Sequence, residues 1–109
     1  MADSPKLSVR DDAAAARYEL LADDAVVAIA EYQLAPGVVR FVHTEVPEEL
    51  SGRGLGQVLV RAALDDARAK NLAVEPYCSF VRHYIETHPD YQDLVPADRR
   101  AAFGLPGAH

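Results

Sequence analysis

The sequence predicts a small α+β (mixed α/β) domain: an antiparallel meander, one βαβ crossover, and a mixed sheet flanked by two helices. Three observations carry that prediction. Alternating apolar residues mark the first half of the chain as strands. A tight-turn pair, Pro36-Gly37, joins two of them. The run Gly52-Arg53-Gly54-Leu55-Gly56 then leads into a segment of helical period, with a further apolar strand behind it.

Residues 1–7 and 97–109 read as flexible tails around a single domain at 8–96, and residues 11–16 as a loop or short turn. Residues 17–21 form a first strand, turned at Asp23-Asp24. In the next strand, 25–34, one alternate set is wholly apolar (Val26, Ala28, Ala30, Tyr32, Leu34) and the other becomes polar at Glu31 and Gln33. That pattern fits a strand buried on one face and partly on the other. Pro36-Gly37 suits the centre of a type II turn, because proline presets φ and glycine accepts a positive one. Residues 38–46 return as a third strand, and Pro47-Glu48-Glu49 ends it. The helix spans 55–70 with Leu55, Val58, Leu59, Ala62 and Ala63 on its apolar face, and Asn71 follows as a C′ residue that tolerates the left-handed region. Residues 72–77 form the last strand, with Pro76 marking an edge, bulge or end. Ser79 is the expected N-cap of a helix at 80–87, and His88-Pro89-Asp90 stops it. The crossover from 38–46 through the helix to 72–77 makes those two strands parallel.

The chain has 109 residues, 50% of them hydrophobic, enough for one core. Its net charge of -6 argues against a nucleic-acid partner and leans toward a basic or amine one. The single cysteine, Cys78, allows no internal disulfide and fits a reducing cytosol. Met1 to Lys6 lack the apolar stretch of a secretory signal, and no run approaches the roughly 20 apolar residues that span a bilayer. His83 and His88 are five apart, a poor spacing for metal ligands on a helix, and no Cys/His cluster suggests zinc, so no metal is expected.

The glycine run carries the functional signal. A loop almost without side chains, opening a helix, presents backbone N–H groups and the positive end of the helix dipole to an anion, most often a phosphate or pyrophosphate. A Walker loop would need Gly-Lys-Ser/Thr at its end, but Gln57 follows Gly56. A dinucleotide fingerprint would place its third glycine one position later and directly follow a parallel strand, whereas here a meander and the segment 47–51 precede the glycines.

With its glycines at Gly54 and Gly56, the run resembles the Arg/Gln-x-x-Gly-x-Gly/Ala acetyl-CoA motif of the GNAT superfamily of N-acetyltransferases. The segments 41–47, 52–56, Pro76-Tyr77-Cys78-Ser79-Phe80-Val81 and His88-Pro89-Asp90-Tyr91 together resemble its very short YjdJ-type branch. The resemblance implies a minimal GNAT-like fold and transfer of an acetyl group from acetyl-CoA to an amine, on a small molecule or exposed on a protein. It places the pyrophosphate on backbone N–H groups at Arg53, Gly54, Leu55, Gly56 and Gln57. It places the thioester where the strand ending at Val46 splays from the one ending near Cys78. The motif's first position is Ser51 rather than Arg or Gln, which leaves Arg53 as a possible source of charge.

The attacking amine must lose a proton from a group of pKa about 10.4. His43 and Glu45, two apart on a strand and therefore on one face, are the candidate bases. Tyr84 lies where some relatives place the acid for the departing thiolate. Cys78 sits before a helix start and beside the expected thioester, either as an acetyl-carrying nucleophile or as a pocket wall. The short chain has little room for helices that shape an acceptor pocket, which fits an open site or one completed by a second subunit, in a cytoplasmic monomer or weak homodimer. The competing readings are a non-catalytic acetyl-CoA or CoA sensor and a scaffold that binds no nucleotide.

Overall fold

The computed structural model describes residues 6–48 and 54–105. Five strands form one sheet in chain order: β1 (Leu7–Asp12), β2 (Arg17–Ala22), β3 (Ala25–Ala35), β4 (Val38–Glu45) and β5 (Ala73–Pro76). The first four pair antiparallel, and β5 joins β4 in parallel after the crossover helix α1 (Leu55–Ala69). A second helix, α2 (Ser79–Thr87), follows β5.

Local chemistry explains the turns. Gly37 takes φ +73 in the Pro36-Gly37 turn, and Asn71 takes φ 58 just past the end of α1. Helix α2 begins one residue earlier than expected, with Cys78 rather than Ser79 at its N-cap. The stripe that α1 buries is Gly56, Leu59, Val60, Ala63, Leu64 and Ala67. It is rotated from the expected face: Val58 is 42% exposed. Leu59, Ala63 and their neighbours meet Tyr18, Leu20, Ala28, Ala30, Tyr32, Val39, Phe41 and Val74 of the sheet and Val81, Tyr84 and Ile85 of α2 in one core. Both helices therefore cover the same face. In β3 only the middle of the expected apolar set is buried, since Val26 is exposed and Leu34 is 63% exposed.

Two segments differ from the sequence expectation. Residues 7–12 are strand β1, although Val9 is the one apolar residue of that strand that packs on the core. Long-range polar bonds tie β1 in place. Asp11 accepts from the Tyr32 hydroxyl and from Lys70 Nζ (3.0 Å), and Lys70 also reaches Asp66 (2.7 Å), which accepts from Tyr18. Burial and then the Asp11 bond push the Tyr32 hydroxyl up to about 12. At the other end, residues 97–105 are not a tail. They form turns at Ala97–Arg99 and Ala101–Phe103 that bury Phe103 and Leu105.

The face of the sheet away from the helices carries ion pairs. Glu19 is buried and takes Arg10 Nε (2.6 Å) and Arg17 Nε (2.7 Å), while Glu75 takes Arg40 Nε (2.9 Å) and Arg99 Nε (3.3 Å). The Arg10 and Arg17 bonds hold the Glu19 carboxyl below its usual value of 4.5, and Arg40 does the same for Glu75. Folded values lower than unfolded ones mean stability that is complete above the unfolded pKa and lost as pH falls through the folded one. We therefore expect the urea midpoint to hold between neutrality and about pH 5 and to fall below pH ~4.5. Glu19→Gln should flatten part of that acid decline. An unchanged slope in the variant would remove Glu19 from the account.

Candidate functional site

The site grows from the place where β4 and β5 separate. Their pairing runs from Val38↔Ala73 to Phe41↔Pro76 and closes with the Cys78 N–H donating to the Phe41 carbonyl at 2.8 Å. Pro76 has no N–H to continue the ladder, and the chain turns into α2. Strand β4 runs on to Glu45, so among the described residues nothing pairs with its edge from Val42 onward on the β5 side.

A bulge sets which residues face this opening. On β3, Glu31 pairs with His43 and Tyr32 with Phe41, so Val42 is the extra residue. Without it, His43 and Glu45 would share the buried face of Phe41. The inserted residue moves both to the open face, with His43 Nε2 3.7 Å from Glu45 Oε2 and side chains 55% and 67% exposed. It also turns Thr44 toward the helices, where its Oγ1 lies 3.1 Å from the sulfur of buried Cys78. Val46 lies half-buried one residue beyond β4. A shallow groove of about 490 Å³ passes Ile29, Glu45, Val46 and Glu48, offering two carboxylates and, among the described residues lining it, no cation.

The expected anion cradle falls on the first turn of α1. Gly54 is its N-cap at φ +76; among the described residues no side chain caps the turn, and no acid lies in it. The first backbone bond into the helix is Val58 N–H to the Gly54 carbonyl. The N–H groups of Leu55, Gly56 and Gln57 therefore have no partner among the described residues, and a Cβ on Gly54 would meet nothing within 4 Å. Gly56 gives room to a neighbouring ring. A Cβ there would stand 2.4 Å from Cζ of Phe80, whose ring lies over the turn. Ser51, Gly52 and Arg53 lie outside the described residues.

From this turn a groove of about 400 Å³ continues past Gln57, Val58, Arg61 and Asp65. Arg61 Nε donates to the Tyr84 hydroxyl at 2.9 Å, and the buried Tyr84 ring stacks on His88 with centroids 3.9 Å apart. The Tyr84 oxygen thus accepts from a cation, and its own proton has no acceptor among the described residues.

The structure therefore brings together Gly54, Leu55, Gly56 and Gln57 at one helix start, His43 with Glu45 on the open face, and Cys78 with Thr44 on the helix side. Sequence reasoning missed Thr44, Arg61 and Phe80. Thr44 had no local signal, because its face depends on the bulge. A glycine inside a first helical turn does signal close approach, and so could have pointed to a neighbour such as Phe80.

A family model described as GCN5-related N-acetyl-transferase matches residues 17–94. The NATD1 proteins of Gallus gallus and Homo sapiens are each 33% identical over 66 residues, 61% of this chain and 59% and 58% of theirs. The chain thus spans less than two thirds of the length of these curated relatives. A GCN5-like protein from Staphylococcus aureus, solved by NMR, superimposes with a TM-score of 0.64 at 25% identity, covering 87% of this chain and 91% of its own. Ard1 from Thermoplasma volcanium shares the fold, with a TM-score of 0.54 at 19% identity over 67% of this chain and 54% of its own. Among the described residues, no helix is long and apolar enough to cross a membrane.

Proposed function

The chain belongs to the GCN5-related N-acetyltransferase family, and from that premise we propose that it moves an acetyl group from acetyl-CoA to an amine. The observation that carries the reading is the uncapped first turn of α1 beside the open edge of β4. The N–H groups of Leu55, Gly56 and Gln57 would hold the pyrophosphate, and the β4 edge as far as Val46 would hold the pantetheine arm and thioester. When bound, acetyl-CoA supplies an activated acyl group.

The chain's own residues handle the protons. His43 and Glu45 face solvent and take the proton of an incoming ammonium, directly or through water. The carboxylates of Glu45 and Glu48 favour a cationic partner in the groove they line. Tyr84 returns a proton to the departing thiolate, helped by Arg61, whose positive charge stabilises the phenolate left behind. Cys78 acts as a wall. Its thiol is buried, and its hydrogen-bond partner among the described residues is the Thr44 hydroxyl rather than a base. Direct attack of the amine on the thioester is the route this arrangement favours.

Thiol release from acetyl-CoA with a panel of primary amines, alongside calorimetric titration of acetyl-CoA, tests the reading. Turnover with any amine supports it. Saturable binding without turnover across the panel would replace it with a CoA-sensing module, and no binding would overturn both. Cys78→Ala should keep kcat within about threefold, since a one-atom cavity in a pocket wall costs positioning rather than chemistry. A loss of a hundredfold or more, or an acetylated Cys78 trapped by mass spectrometry, would establish the covalent route instead.

A further inference from the structure

A separate groove of about 420 Å³ lies where the C-terminal turns pack beside β5 and the start of α2. It is lined by Pro76, Tyr77, Ser79, Arg82, Arg99 and Phe103 among others. No carboxylate lines it among the described residues. Glu75, 9% exposed, lies next to it, but its charge is already met by Arg40 at 2.9 Å, and Arg99 only shares it at 3.3 Å. Arg99 is also held by the Tyr77 hydroxyl at 3.2 Å and by the Phe103 ring, 5.3 Å from its guanidinium carbon to the centroid. Arg82 makes no ion pair among the described residues.

In a chain of net charge -6, this corner holds a local excess of guanidinium. Arg99 is pre-positioned by three contacts, so little side-chain freedom remains to be lost when it binds an anion. Tyr77 and Ser79 add two hydroxyls. These two residues are also the chain neighbours of Cys78, which lies at the splay. The groove therefore adjoins the splay along the chain, on either side of Cys78.

We propose that this groove binds an oxyanion, carboxylate or phosphate, carried by the amine acceptor, so that the enzyme selects anionic amines over simple ones. The proposal rests on the acetyl-transfer reading and names its substrate class. The acceptor's ammonium lies toward Glu45 and Glu48 and its anionic group toward Arg82 and Arg99.

Two measurements test it. In the first, 15N-labelled protein saturated with CoA, so that the α1 turn is occupied, is titrated with inorganic phosphate and separately with acetate at constant ionic strength. Saturable shifts of the Arg82 and Arg99 Nε–H signals are expected, and in Arg82→Gln the affinity read from the Arg99 signal should fall at least tenfold. Non-saturating shifts, or a titration unaltered by the substitution, would overturn the site whether or not any amine is acetylated. In the second, kcat/KM is compared for matched long-chain acceptors, ω-amino carboxylates of increasing length against their amides and ω-amino phosphate monoesters against the corresponding amino alcohols. The anionic member should be preferred at least tenfold, and Arg82→Gln should erase most of that preference. The amino-acid and phosphate pairs distinguish which oxyanion is used. Equal kcat/KM within both pairs would overturn the proposal and leave acetyl transfer standing.

Discussion

Gly54→Asp is expected to weaken acetyl-CoA binding at least a hundredfold while the chain stays folded. At φ +76 any side chain is strained, but Asp and Asn tolerate this region better than other residues, and the space around the Gly54 Cα is open. The cost to folding should be about 1 kcal/mol. The carboxylate would compete for the first-turn N–H groups as an N-cap does, and would place a negative charge where the pyrophosphate belongs. A hundredfold loss corresponds to about 2.7 kcal/mol, within reach of one desolvated charge repulsion. Gly54→Asn, of the same shape without the charge, should lose less. Calorimetry with a thermal melt on each variant reads both quantities. Wild-type affinity in a folded Gly54→Asp protein would move the pyrophosphate away from α1 altogether.

Phe41→Ala should cost about 3–5 kcal/mol, a large share of the roughly 5–15 kcal/mol that holds a domain of this size together. The Phe41 ring is fully buried, 6.1 Å from Tyr18 and 6.4 Å from Tyr32 between ring centroids, while its carbonyl receives the Cys78 N–H that ends the β4–β5 pairing. The cavity would therefore open beneath the splay. A fall of about 15 °C or more in Tm is expected, together with loss of acetyl-CoA binding at temperatures where the rest of the chain is still folded. A fall of only a few degrees would mean that the aromatic cluster relaxes to fill the space.

The meander, the crossover and α1 were legible because each rests on short-range signals. Pro36 presets its φ, Gly37 and Asn71 accept the positive φ that a turn and a helix end need, and a fifteen-residue helix carries its period over four turns. The resemblance to acetyltransferases rested on four short segments in order, 41–47, 52–56, 76–81 and 88–91, with the glycines of one helix start among them. Strand β1 was not legible. Its Leu-Ser-Val-Arg-Asp-Asp run shows little alternation, and bonds from Tyr32 and Lys70, 21 and 59 residues away, hold it. The C-terminal turns are similar, since Phe103 is buried by Tyr77 and Arg99 rather than by any pattern of its own.

What the sequence by itself determined is the order of the elements from β2 to α2 and the glycine start of α1, because a glycine, a proline or a helical stripe acts through its own backbone and nearest neighbours. What only the tertiary structure decided is which side chains of β4 face the helices and which face solvent. The same strand, read without its bulge, places His43 and Glu45 in the core and Thr44 in solvent. Val42 becomes the extra residue only through pairing with β3, and a one-residue slip in a period of two exchanges the faces of everything beyond it. The rotation of α1 and the gathering of Arg82 and Arg99 around one groove are likewise sums over contacts distant in the chain, which no local window contains.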